Sequence, residues 1–65
     1  MKLKQFYSEK VNIVTNEGTE FSGVVTEYFY PEDNESGKES IVIDSSNGDI
    51  VEFYEKDIKT IEKTV

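Results

Sequence analysis

The chain has no cysteine, no histidine, no tryptophan and no arginine, and its only proline is Pro31. Without cysteine no disulfide forms, and without cysteine or histidine the usual zinc ligand sets are missing, so very small domains' common staples are absent. The same absences remove the commonest general base and the best thiol nucleophile. No serine stands in a Ser-x-x-Lys spacing either. A catalytic function is therefore not expected, nor is a cofactor, a metal or a small-molecule substrate. The only basic residues are seven lysines against fourteen acidic residues, a net charge of −7, which repels a phosphate backbone at long range. No apolar run approaches the length of a membrane span. The start, Met1-Lys2-Leu3-Lys4-Gln5-Phe6-Tyr7, has basic residues but no apolar stretch of signal-peptide length. A cytoplasmic location without membrane association is expected.

What is present is alternation. Apolar residues make up 35% and charged residues 32% of the sequence, and the apolar ones recur at the period of two that marks half-buried strands. Val11 and Ile13 predict a strand over 10–15, and Asn16-Glu17-Gly18 a tight turn with glycine at a positive φ. A long strand follows, from Thr19 to about Tyr30, with Phe21 inward and Gly23 as the point where it bends. Residues 31–39 read as a polar, acidic and mobile loop, because proline ends any ladder. A hairpin comes next: a strand over 40–45, the turn Ser46-Asn47-Gly48, and a strand over 49–54. After a single turn at Glu55-Lys56-Asp57, residues 58–62 form the last strand, although Ile58, Ile61 and Val65 also suit a helix face. Leu3, Phe6 and Tyr7, at i, i+3 and i+4, predict a short N-terminal helix over 2–9 that covers one mouth of the sheet. The expected core is Leu3, Phe6, Val11, Ile13, Phe21, Val25, Ile41, Ile43, Val51, Phe53, Ile58 and Ile61.

The segment Gly18-Thr19-Glu20-Phe21-Ser22-Gly23-Val24-Val25, preceded by Val11, Ile13 and Thr15 and followed by Asp57-Ile58-Lys59-Thr60-Ile61, resembles the Sm-like (LSm) small β-barrel family, in the manner of a divergent bacterial-type member. The resemblance runs from about Val11 to Glu62. It implies a single domain over 1–65: an all-β, five-stranded, strongly bent antiparallel small barrel, of Sm-like or SH3-like type, with a short N-terminal helix. Gly18, Phe21 and Gly23 are its fold-determining residues. It also implies a ring of subunits that holds RNA through an Asp and an Asn after the bent strand and an Arg-Gly pair before the last strand. Here Phe29 stands at the aspartate position, Asn34 is the one candidate near the asparagine position, and Tyr54-Glu55 replaces Arg-Gly. A phenol still stacks a base, but the guanidinium donor is gone.

Two other patterns bear on function. The loop Glu32-Asp33-Asn34-Glu35-Ser36-Gly37 has oxygen donors at alternate positions and glycine sixth, like a calcium loop, but its twelfth position is Ile43 rather than glutamate and no helices flank it. It reads as a solvated loop tip. With Ile41, Ile43, Val51 and Phe53 inward, Val42, Ile50 and Tyr54 point outward, and Tyr28 and Tyr30 are placed with them. Such a second apolar stripe is either covered by local structure or is an interface, and tyrosines suit interfaces. The expectation is a non-catalytic interaction module in which Tyr28, Tyr30, Tyr54, Val42 and Ile50 contact a protein partner or another copy of the chain. The alternatives are an RNA-binding Sm-like ring and an acidic decoy that imitates DNA.

Overall fold

The alternation that begins at Lys10 becomes five strands in the computed structural model, which describes residues 2–64. They are β1 (Lys10–Thr15), β2 (Glu20–Phe29), β3 (Ser40–Ser45), β4 (Ile50–Tyr54) and β5 (Ile58–Lys63). Together they form one antiparallel sheet in the order β4-β3-β2-β1-β5. Register puts the apolar sets opposite one another: Ile13 faces Phe21 and Ile61, Val25 faces Ile43, and Ile41 faces Phe53. Nine of the expected core residues are buried, from Leu3 to Ile58, while Phe21, Val51 and Ile61 are half-buried and packed against them. Val65 lies outside the described residues.

Two features bend β2 and with it the sheet. At Gly23 the backbone of β3 comes so close that a Cβ built there would sit 2.2 Å from the Asp44 carbonyl oxygen. The glycine is needed for that approach rather than for its φ, whereas Gly18, at φ +86°, supplies the left-handed turn residue between β1 and β2. Three residues on, the β2–β3 register slips between Val25 and Glu27, a bulge that adds local twist. The resulting curl brings side chains from non-adjacent strands together. Phe21 on β2 and Phe53 on β4 meet edge to face with centroids 5.1 Å apart, although β3 lies between their strands and adjacent strands in a sheet are about 4.8 Å apart. Among the described residues β4 pairs only with β3 and β5 only with β1, so the curled sheet keeps an open seam between β4 and β5. Beyond Thr15 the β1–β5 pairing continues into the turns: the Asn16 N–H donates to the Asp57 carbonyl at 3.2 Å and the Asn16 amide donates to the Lys56 carbonyl.

The helix expected over 2–9 is instead one 3₁₀ turn, Leu3–Phe6. Leu3 and Phe6 eclipse at i, i+3 in such a turn, and both are buried. Ser8 then adopts φ +67°, which no helix continues through, and its N–H donates to the Val25 carbonyl at 2.9 Å. The loop expected over 31–39 begins with a second 3₁₀ turn, Pro31–Asp33, and is closed by Asn34, whose amide donates to the Lys38 carbonyl at 2.7 Å and the Ser40 hydroxyl at 3.1 Å.

Candidate interaction surface

Outward-facing residues of β2, β3 and β4 line up in three rows: Val24–Asp44–Ile50, Glu27–Val42–Glu52 and Phe29–Ser40–Tyr54. The third row is partly covered. Ser40 is fully buried, accepts from Asn34 and donates to a Glu52 carboxylate oxygen at 2.9 Å, so the 31–39 loop folds over that end. The other two rows stay open: Ile50 is 77% and Val24 41% exposed, and Val42 lies between Glu27 and Glu52. This face therefore combines aliphatic side chains with three carboxylates, Glu27, Asp44 and Glu52, beside the unpaired edge of β4. Val24 was not among the expected contact residues, although simple alternation from buried Val25 places it outward.

Tyr28 and Tyr30 do not share this face. Tyr28 is opposite Ile41, on the inner side, and packs half-buried against the core, which corrects the outward placement expected for it. Its hydroxyl makes a long contact of 3.5 Å to a Glu39 carboxylate oxygen; the other oxygen of Glu39 accepts from the Leu3 N–H. Glu39 thus ties the N-terminal turn to β2. Tyr30 meets Tyr28 edge to face at 5.1 Å and 84°, and its hydroxyl accepts from Lys4 Nζ at 2.7 Å. With Tyr7, 52% exposed, and Glu27, these residues line a cleft of about 380 Å³. The five expected contact residues thus fall on two surfaces: Val42, Ile50 and Tyr54 on the outer face, Tyr28 and Tyr30 in the tyrosine cleft.

Titration of the cleft follows from its contacts. Burial, then the Glu39 charge, holds the Tyr28 phenol above its ordinary value of 10.0, and the hydrogen bond from Lys4 to Tyr30 raises the Lys4 ammonium above 10.5. Both groups bind their proton more tightly folded than unfolded. Their contribution to stability is therefore full below pH 10 and is lost as pH rises through the folded-state values. The expected result is a Tyr28 ring resonance that titrates above pH 10, with the contribution of these two groups to stability lost only in that alkaline range. A Tyr28 phenol ionising below 10 contradicts the packing described.

At the opposite mouth, Thr15, Asn16, Phe21, Phe53 and Asp57 line a second cleft, of about 430 Å³, along the open seam. Asp57 is engaged there, accepting from the Tyr54 N–H at 3.4 Å. Among the described residues, no three acidic side chains are grouped so as to hold a metal ion. No family model matches this chain, and no curated protein or solved structure does.

Proposed function

We propose that the chain is a non-catalytic interaction module that docks a protein surface, another chain or a second copy, through the outer face of β2–β4. The observation that carries this reading is Ile50, a large aliphatic residue 77% exposed at the head of an edge strand, with Val24 and Val42 in the adjoining rows. An exposed apolar stripe beside an unpaired strand edge is a surface that association covers. Glu27, Asp44 and Glu52 set the sign of the partner: they favour a basic protein surface and oppose a nucleic-acid backbone. The same three carboxylates, spread across one face, support a second reading in which the module occupies the DNA site of a basic protein.

Ile50→Asp is the test. The new carboxylate faces Asp44 across the ladder and replaces a β-branched strand residue, a combined cost of about 1–2 kcal/mol that the fold is expected to survive. Tagged wild-type protein in an extract of its own cells is expected to elute in an assembly heavier than its 7.5 kDa, and the variant to shift toward the monomer. Identical elution of the two contradicts the proposal.

A further inference from the structure

The tyrosine cleft already has a cation at its rim. Lys4 Nζ donates to the Tyr30 hydroxyl at 2.7 Å and lies 4.9 Å from the ring centroid, which places it at the hydroxyl edge of the ring rather than over its face. Aromatic rings attract ammonium and guanidinium heads over their faces through their quadrupoles, and Tyr28 and Tyr30, meeting at 84°, give the cleft two differently oriented rings. Tyr7 and Tyr30 are open to solvent, so a side chain arriving from outside reaches them without disturbing the core. Glu27 adds a carboxylate to the cleft, and the net charge of −7 concentrates cations around the molecule. Lys4 itself is exposed.

We infer that this cleft receives a lysine or arginine side chain of a basic protein segment, and that Lys4 is the like charge at its rim which that side chain displaces. The inference rests on the reading of the chain as a protein-binding module and gives its tyrosine end a partner chemistry. An anionic ligand is the opposite assignment, because it would use Lys4 as its counter-charge and would meet Glu27 as a repulsive neighbour. Lys4 separates the two.

The experiment titrates three capped pentapeptides, Gly-Gly-Arg-Gly-Gly and its lysine and glutamate counterparts, into the full chain at constant ionic strength. Ring-proton shifts of Tyr7, Tyr28 and Tyr30 are followed by NMR. Saturable shifts are expected from the basic peptides, the tighter of the two identifying the head, and none from the glutamate peptide. Lys4→Ala, which removes a like charge from the rim, is expected to tighten binding by about two- to fivefold, and Tyr30→Ala to weaken it by about two- to fivefold, the equivalent of one exposed cation–π contact. Weaker binding in Lys4→Ala, shifts from the glutamate peptide, or no saturable shift from either basic peptide overturns the inference. Ile50→Asp, on the other surface, leaves these titrations unchanged. Loss of the heavier assembly in that variant is read separately, so the cleft assignment fails without taking the module with it.

Discussion

Gly23→Ala is expected to lower the unfolding free energy by about 3 kcal/mol, the upper end of what overpacking costs, and Gly23→Val by more. The neighbour at 2.2 Å from the added Cβ is the Asp44 carbonyl oxygen, followed by the Asp44 carbonyl carbon and Ser45 Cα at 2.9 Å. All three are backbone atoms, so no side chain swings aside. Relief requires β3 to move off β2, and that separates the pairs Gly23–Ser45 and Val24–Asp44 at the start of the ladder. A domain of this length has a total stability of only about 3–10 kcal/mol, so the valine variant is expected to be largely unfolded near body temperature. Urea denaturation of the two variants measures the effect. A loss under about 1 kcal/mol for alanine would mean that the strands do not approach as described.

Leu3→Ala carries the second large effect. Leu3 sits in a single 3₁₀ turn, an element too short to hold itself together, yet its side chain is fully buried and clusters with Phe6, Val11, Val25 and Ile41. The turn is thus a plug in the core rather than an appendage, held in place by the Glu39 carboxylate on the Leu3 N–H and by the Ser8 N–H on Val25. Truncation of a buried leucine costs about 2–5 kcal/mol, including the cavity left behind. A turn that merely rests on the surface would lose about 0.5 kcal/mol or less. Chemical denaturation separates these outcomes.

The strands were legible because alternation is a direct imprint of the pleat: each step along Val11–Ile13, Ile41–Ile43 and Val51–Phe53 alternates inside and outside, and Gly18 and Gly48 mark the turns between them. Two features were not legible. Leu3 and Phe6 suit a 3₁₀ turn and an α-helix equally, and what ends the turn is Ser8 at φ +67°, a conformation that serine does not advertise. Tyr28 shows the second case. Counting by twos from buried Val25 puts Tyr28 outside, but the bulge between Val25 and Glu27 consumes one residue and flips the phase, so that Glu27 is opposite Val42 and Tyr28 opposite Ile41. No residue type announces that slip. It divides the expected contact set between two surfaces and assembles the tyrosine cleft, which alternation alone hides.

Position-specific photo-crosslinking tests the central claim most directly. A photoreactive residue is placed at Ile50, on the outer face, and separately at Thr60 on β5, which is also exposed but lies at the other edge of the sheet. Irradiation in the native cell is expected to give a discrete protein adduct from position 50 that position 60 does not give, whether the captured chain is foreign or a second copy. No adduct from position 50, the same adducts from both positions, or crosslinked nucleic acid in place of protein would contradict the account.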